Sequence, residues 1–211
     1  MKVAAIIPDR GDRPELIQQC FKYLEQQTVP FDHIEHVNYP PKGMYPDLTE
    51  RVRTAYNKLN DKYDYLAIIE NDDWYSDQYV SIMTSEIEKA GYPDLLGLRT
   101  TVYYHIGKDK HNRIQHTSHA SLFTTWIKGG LNIEWPADDN KQLDIAIWKQ
   151  HKGYLSLASC AIGIKHGIGK CGGIGHTTMR YLHDGPPTGL YLSKDLPFYD
   201  KLAKQLKPLK P

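Results

Sequence analysis

The sequence predicts an α/β domain built on a parallel sheet, and its first ninety residues supply the three observations behind this prediction. The apolar runs Val3 to Ile7 and Tyr65 to Ile69 are continuous, which is typical of central strands covered on both faces. A shorter candidate strand, His33 to Val37, lies between them. Amphipathic helical patterns separate the three strands. This alternation indicates right-handed crossovers between parallel strands.

The helices are predicted from apolar residues at helical spacing and from their end signals. Asp12 is the expected N-cap of the first helix because Pro14 follows it in the first turn, and the apolar face continues to Leu24. The second helix is predicted from Leu48 to Leu59. A third is predicted from about Ser76 to Ala90.

The second half of the sequence is less regular. The stretch from Leu95 to Ile106 is rich in β-forming residues, and residues 111–113 are predicted as a turn between two strands. We expect a helix from Asn140 to Lys152 and a strand from Leu155 to Ile164. One more helix is expected near residues 195–206.

Composition and length fit one soluble globular domain. The chain has 211 residues, of which 40% are hydrophobic and 24% charged, and its net charge of +1 gives no general attraction to nucleic acid. We divide it into a domain over residues 1–180, with a nucleotide-binding half (1–95) and an acceptor half (96–180), and an irregular C-terminal tail (181–211) that packs on the domain or orders with substrate.

Cysteine usage and hydropathy predict a cytoplasmic protein without a membrane span. The three cysteines are widely spaced and odd in number, which favours reduced thiols over a disulfide framework. The apolar run near the N-terminus has five residues, too few for a signal peptide or a span. The sequence indicates no oligomeric state.

Four polar residues, Glu70, Asn71, Asp72 and Asp73, directly follow the third predicted strand. Ligands of open α/β sheets bind beyond the carboxyl ends of the strands, so this cluster is predicted to lie at the ligand-binding edge of the sheet. Its three carboxylates repel one another unless they are solvated or share a divalent cation. Oxygen ligands of this kind suit Mg²⁺ or Mn²⁺ bound with a nucleotide diphosphate. The alternative is a solvated acidic turn that caps the third helix.

Three stretches of the chain, read together, resemble family 2 glycosyltransferases of the GT-A fold. They are AIIPDRGDRPEL at 5–16, RTAYN at 53–57 and YLAIIENDD at 65–73, with a weaker match in DIAIW at 144–148. The resemblance implies a GT-A-like, Rossmann-type mixed sheet flanked by helices in a single domain. It also implies metal-dependent, inverting transfer of a sugar from a nucleotide-sugar donor, with a UDP-sugar favoured, to a hydroxyl acceptor.

The resemblance assigns roles to individual residues. Asp72 takes the position of the metal-binding aspartate, with Mn²⁺ or Mg²⁺ as cofactor. His166 is the first candidate for the histidine that completes the metal shell, and His176 is the second. Asp144 is the first candidate for the general base, and Asp138 and Asp139 are its rivals, with Asp139 the nearer one. The expected donor-binding residues are Pro8, Asp9, Arg10, Arg13, Asn38, Asn57, Glu70, Asn71 and Asp73.

These assignments have alternatives. The acids at residues 138, 139 and 144 are also explained as favourable charges at the start of a helix. The glycine-rich stretch from His166 to His176 is also explained as a surface loop. Glu35 and Asn38 are the nearest candidates for an acid at the end of the second strand, the position at which the family reads the base.

The candidate acceptor-binding residues are aromatic and basic side chains in the second half of the chain. Trp126, Trp135 and Trp148 fit either a stacking platform or the core. A basic run over residues 108–113 and the C-terminal lysines favour contact with DNA phosphates, so a hydroxylated base in DNA, as phages modify, is one predicted acceptor. The alternatives are a saccharide or lipid-linked acceptor of surface polysaccharide, a nucleotidyltransferase and, in another class, an inactive nucleotide-sugar-binding module.

Overall fold

The computed structural model describes residues 1–40, 47–138, 140, 142–167, 183–188 and 191–205. These residues form two mixed sheets with helices packed against them. The predicted α/β class is confirmed. Among the described residues, no helix is both long enough and apolar enough to cross a membrane.

A six-stranded sheet carries the parallel strands that the sequence predicts. Its members are β1 (Val3–Pro8), β2 (His33–Val37), β3 (Tyr65–Ile68), β5 (Leu95–Leu98), β8 (Trp126–Lys128) and β9 (Gly153–Ser156). The strand order is β2-β1-β3-β8-β5-β9, and β8 alone in this sheet runs against its neighbours. The carboxyl ends of β1, β2 and β3 therefore meet at one edge.

A second sheet of five strands stands beside the first. Its members are β4 (Trp74–Tyr75), β6 (Thr100–His105), β7 (Lys110–Gln115), β10 (Ala161–Lys165) and β11 (His183–Asp184). The order is β11-β7-β6-β10-β4, with β10 parallel to β6 and antiparallel to β4. Because β4 follows β3 after a short loop, this loop joins the two sheets.

Five α-helices and two 3-10 turns complete the described chain. The α-helices are α1 (Pro14–Glu25), α2 (Leu48–Leu59), α3 (Tyr79–Lys89), α4 (Leu143–Trp148) and α5 (Leu196–Gln205). The 3-10 turns are Leu122–Thr124 and Tyr191–Lys194.

The alternation of side chains along β1 explains why its apolar run is continuous. Val3, Ala5 and Ile7 belong to a core cluster shared with α1 and α3, whereas Ala4 and Ile6 belong to a second cluster shared with α2. Successive strand residues point to opposite faces, so a strand buried on both sides has no polar positions. The helices thus lie on both faces of the six-stranded sheet.

The helix α5, in the C-terminal segment, packs on the core of the domain. Tyr199 and Leu202 of α5 are buried in the main core cluster. The indole Nε1 of Trp74 donates a hydrogen bond to the Asp195 carboxylate at 2.8 Å. The segment is therefore an integral part of the fold's packing.

Two aromatic residues that the sequence offers as a stacking platform belong to the core. Trp126 is fully buried and Trp148 is 6% exposed. The indole of Trp126 donates to the hydroxyl of Tyr79 at 2.9 Å. Trp135 is partly buried and packs edge-on against Tyr56.

Several local predictions are wrong. The N-cap position of α1 is Arg13, without a side-chain cap bond, so Asp12 does not cap the helix. Residues 111–113 lie within β7, and the turn occupies residues 106–109. The third helix begins at Tyr79 because Trp74–Tyr75 pair with β10 as a short strand.

Two predicted strands are each divided between the sheets. The stretch from Leu95 to Ile106 forms β5 in the first sheet and β6 in the second. The stretch from Leu155 to Ile164 contains the end of β9 in the first sheet and most of β10 in the second. The second half of the chain therefore contributes strands to both sheets.

Candidate active site

The Asp9 carboxylate joins the ends of three parallel strands. Asp9 follows β1 and is 3% exposed. Its Oδ1 accepts hydrogen bonds from Asn71 Nδ2 at 2.7 Å and from the Gly11 amide at 3.0 Å, and its Oδ2 lies 2.9 Å from His36 Nε2. Gly11 has a φ of 75°, a left-handed conformation that glycine adopts without strain, which lets the loop fold back onto Asp9.

Arg51, which the sequence reasoning missed, holds the backbone of the same loops. It is 1% exposed on the inner face of α2. Its Nη1 donates to the carbonyls of Asp9 (2.7 Å) and Val37 (3.0 Å), and its Nη2 donates to the carbonyl of Tyr39 (2.9 Å) and the carboxylate of Asp47 (2.8 Å). The available signal was a charged residue on the apolar face of the α2 pattern.

Arg10 belongs to this arrangement through Asp47. Its Nη1 lies 2.8 Å from Asp47 Oδ1, so one carboxylate bridges Arg10 and Arg51. Burial opposes ionisation of Asp47, but the two arginines outweigh it and lower the Asp47 pKa. Pro8, the last residue of β1, is buried beneath this loop. Asp9 and Arg10, two of the donor-binding positions predicted after β1, are therefore linked through Arg51 and Asp47.

The acidic loop, Glu70–Asp73, connects β3 of the first sheet to β4 of the second. Asn71, Asp72 and Asp73 are nearly buried, at 1%, 7% and 2% exposure, so a fully solvated acidic turn is excluded. The Oδ2 of Asp72 pairs with the guanidinium of Arg13. The same oxygen lies 2.9 Å from His166 Nε2. Arg13, Asp72 and His166, three predicted site residues, are thus in direct contact.

Lys165, at the end of β10, is a second cationic residue of the site, after Arg13. The Ile164 amide donates to Asp73 Oδ1 at 2.7 Å, which aligns the end of β10 with the acidic loop. Lys165 follows, with its ammonium 5.0 Å from the ring centroid of Tyr103. The charge of Lys165 interacts with Asp73, Asp72 and Glu70. Sequence reasoning missed Lys165, although it directly precedes a predicted metal ligand at the end of an apolar strand.

The three carboxylates of the acidic loop differ in proton affinity. Burial, followed by the Asp72 charge, raises the pKa of Glu70 to about 7. Burial also raises the pKa of Asp73 well above its usual value. Burial opposes ionisation of Asp72 too, but Arg13 and His166 outweigh it and lower the Asp72 pKa. The loop therefore contains one firmly ionised carboxylate and two that hold protons more tightly.

Asp144, the first candidate for the base, faces the acidic loop from α4. It lies in the first turn of α4, and its charge contributes to the raised pKa of Glu70. Burial raises the pKa of Asp144 itself, opposed by the nearby His119. Its rival Asp139 lies outside the described residues. Asp138 is half exposed and pairs with Arg53 at 2.9 Å on the surface.

Not every predicted donor-binding residue reaches this site. Asn38 follows β2 at the correct edge and is exposed. Asn57 is exposed in the last turn of α2. The helix is about 18 Å long, and the contacts of Arg51 with the site lie at its other end. Glu35 points to α2 and pairs with Lys58 at 2.8 Å, so it does not read a base from the strand end.

Carboxylate and amide oxygens and one imidazole are the groups at this site that could hold a divalent cation. Among residues with described positions, no three His, Cys, Asp or Glu side chains already surround a common metal position. Asp72 and His166 are in contact, and Asp73 Oδ2 and Asn71 Oδ1 are buried oxygens without a hydrogen-bond partner in the described chain. The carboxylate and amide oxygens fit Mn²⁺ or Mg²⁺. His176, the second histidine candidate, lies outside the described residues.

A cleft of about 610 Å³ lies at the opposite edge of the six-stranded sheet. Its lining includes Asn60, Tyr63, Tyr92 and Lys128, beside the amino ends of β1 and β3. Ligands of open α/β sheets bind at the carboxyl ends of the strands. We therefore assign the candidate site to the acidic loop and not to this cleft.

Comparison with known proteins identifies the fold. No protein-family model matches the chain, and no curated protein sequence matches it. Among solved structures, the chain is similar to S. aureus TarS 1-349 in complex with UDP-GlcNAc, with a TM-score of 0.61, 11% identity and 86% of this chain covered. A structure of S. aureus TarS also matches, at a TM-score of 0.49, 13% identity, and coverage of 79% of this chain and 37% of that one.

The fold is therefore GT-A-like, as the sequence resemblance implied. The chain spans 62% of the length of TarS 1-349. At this level of identity the similarity defines the architecture alone, and chemistry must be argued from the site residues.

Proposed function

We propose that this protein transfers a sugar from a nucleotide-sugar donor to a hydroxyl acceptor. One observation carries the proposal. Side chains from the loops after β1, β3 and β10 converge at the carboxyl edge of the six-stranded sheet, where Arg13, Asp72 and His166 are in contact. This edge is where open α/β sheets bind nucleotides.

The donor nucleoside is proposed to bind beside the loops after β1 and β2. Asp9 and Arg51 fix these loops, and Asn71 links them to the acidic loop. We favour a UDP-sugar as donor. The similarity to the TarS structure in complex with UDP-GlcNAc supports this choice.

Mn²⁺ or Mg²⁺ is the proposed cofactor, with Asp72 and His166 as the residues that would hold it and Asp73 beside them. When bound, such a cation neutralises charge that develops on a leaving nucleoside diphosphate. The charge balance supports this. Asp72, the firmly ionised carboxylate, is already paired with Arg13, which leaves Lys165 as the counter-charge to an added diphosphate, so a bound diphosphate requires further positive charge.

Asp144 is the proposed general base. Its raised pKa suits removal of a proton from an acceptor hydroxyl near neutral pH. We propose an inverting transfer, in which this base removes the proton of the acceptor hydroxyl as the hydroxyl attacks the sugar opposite the leaving diphosphate.

The proposed acceptor is a hydroxylated base in DNA, and a saccharide is the alternative. Part of the basic run that favours DNA is engaged within the fold: Lys110 pairs with Asp184 at 3.0 Å, and Arg113 donates to the Thr188 carbonyl at 3.4 Å. A hydroxylated base in DNA is therefore tested beside a saccharide acceptor. Radiolabelled donor is incubated either with a duplex that contains hydroxymethylcytosine or with a set of oligosaccharides. The acceptor that gains the label identifies which of the two classes the protein modifies.

Donor turnover tests the proposal. UDP-glucose, UDP-GlcNAc and the corresponding GDP-sugars are incubated with the protein and Mn²⁺, and the released nucleotide is measured. We expect slow release of nucleoside diphosphate that is absent in Asp72→Ala. An inactive binding module would bind a donor without releasing product, and a nucleotidyltransferase would release pyrophosphate. Either result would overturn the proposal.

A further inference from the structure

We infer that Lys165 binds the diphosphate of the donor and is a residue through which the site distinguishes a nucleoside diphosphate from a nucleoside. The inference rests on the proposed function. It adds a specific anion-binding residue that neither the sequence motifs nor the fold similarity assigns.

The ammonium of Lys165 is close to several acids but directly paired with none of the described ones. Its charge interacts with Asp73, Asp72 and Glu70, yet within the described ranges it makes no hydrogen bond and no ion pair at or below 4.0 Å. An ammonium has three donors, and leaving them without acceptors in a partly buried setting is unfavourable. An anionic ligand supplies the missing acceptors.

The packing below Lys165 fixes the direction of its side chain. Its ammonium lies over the ring of Tyr103, whose hydroxyl is held by the Ser121 hydroxyl at 2.8 Å. The ring in turn lies against Gly163, where an added Cβ would be 2.5 Å from Tyr103 Cδ1. The glycine therefore lets the ring occupy the surface of β10. Tyr103 acts as a platform that keeps the Lys165 chain extended along the site.

Arg13 and Lys165 differ in their availability to a ligand. Arg13 is already paired with Asp72 and has Asp12 at 3.6 Å. Lys165 has no such partner among the described residues. Among the described residues, Arg13 Nε also makes no hydrogen bond, but the guanidinium is held in an ion pair with Asp72 whereas the Lys165 ammonium is held in none. Lys165 can therefore turn its donors to phosphate oxygens, for which a lysine acts as a compact point charge.

The test compares the affinities of UDP and uridine by calorimetry in MnCl₂ at constant ionic strength. We expect Lys165→Met to weaken UDP binding about 10- to 100-fold, the effect of one charge-assisted hydrogen bond, and to leave uridine binding unchanged. Lys165→Arg should restore most of the UDP affinity. The matched control is Lys152→Met at an exposed position, which should alter neither affinity.

A labelling experiment on the unaltered protein covers the case in which Lys165→Met does not fold. Reductive methylation, followed by peptide mass spectrometry, should show that UDP slows modification of Lys165 whereas uridine does not, with Lys152 unaffected by either. If wild-type protein binds UDP but Lys165→Met weakens UDP and uridine equally, or if UDP leaves Lys165 labelling unchanged, the inference is wrong while the proposed function stands. If wild-type protein binds no nucleoside diphosphate, the proposed function itself fails.

Discussion

His166 Nε2 lies 2.9 Å from Asp72 Oδ2, although the two residues are 94 positions apart in the sequence. The contact forms because β10 ends beside the loop that joins the two sheets. It brings together the two residues that the sequence resemblance assigns to a metal.

We predict that His166→Ala weakens Mn²⁺ binding about 10-fold or more, because the imidazole is one of the two proposed ligands in contact. The measurement is the gain in UDP affinity on replacing EDTA with MnCl₂. His151→Ala is the matched control, since His151 lies away from the acidic loop and contacts the Asn132 carbonyl. An equal manganese effect in wild type and His166→Ala would contradict the assignment.

Glu70→Gln should stabilise the protein at pH 7.5. The pKa of Glu70 is raised from 4.5 to about 7, so the folded state holds its proton across a window in which the unfolded chain releases it. Folding stability therefore falls as pH rises through this window. Gln carries no charge, so the variant avoids the free-energy cost of ionising a buried carboxylate. The expected gain is on the order of 1 kcal/mol in urea unfolding.

The control for Glu70→Gln is Glu88→Gln on the exposed face of α3, which should leave stability unchanged. At pH 4.5 and below, the difference between Glu70→Gln and wild type should largely vanish because Glu70 is then protonated in both states. A variant that is less stable than wild type at pH 7.5 would refute the buried-charge explanation.

Asp144→Asn should reduce kcat by about 10²- to 10⁴-fold with little change in donor KM, because an amide cannot accept the acceptor proton. Since burial raises the Asp144 pKa, the acid limb of the wild-type rate profile should lie above the usual range of an aspartate. Asp138→Asn is the matched control on the surface. A kcat for Asp144→Asn within about tenfold of wild type would exclude this base.

Arg51→Met should destabilise the fold by about 3 kcal/mol, because it removes the buried donor of the Asp9 carbonyl and of Asp47 Oδ2 and one of the two donors of the Val37 carbonyl. Arg51→Lys should recover only part of this loss, since one ammonium cannot reproduce the guanidinium fork. Arg53→Met, on the surface of the same helix, should change stability by less than about 1 kcal/mol. Urea denaturation provides all three values. Equal effects at positions 51 and 53 would show that the buried network is unimportant.

The parts of the fold that could be predicted are those whose signal is local. The β1 run is continuous because two layers cover it, and the helical faces of α1 and α2 repeat every three to four residues. The division of residues 155–164 between two sheets could not be predicted, because it depends on partners in β5 and β6 and not on the chemistry of the stretch itself.

The site residues that could be predicted are likewise those with a local signal in the sequence. Asp72 and Asp9 follow predicted strands, so the rule for open sheets located them. Arg51 and His36 act on Asp9 from 42 and 27 residues away, and no local pattern reports such contacts. Asn57 shows the converse limit, since a motif match assigned it to a site that its position in the last turn of α2 does not reach.

The most direct test of the central claim is a crystal structure of this protein soaked with UDP and MnCl₂. The account predicts anomalous manganese density in contact with Asp72 and His166, and the diphosphate between that ion and Lys165. A diphosphate bound elsewhere, such as the cleft beside Asn60 and Lys128, with no manganese at Asp72, would contradict it.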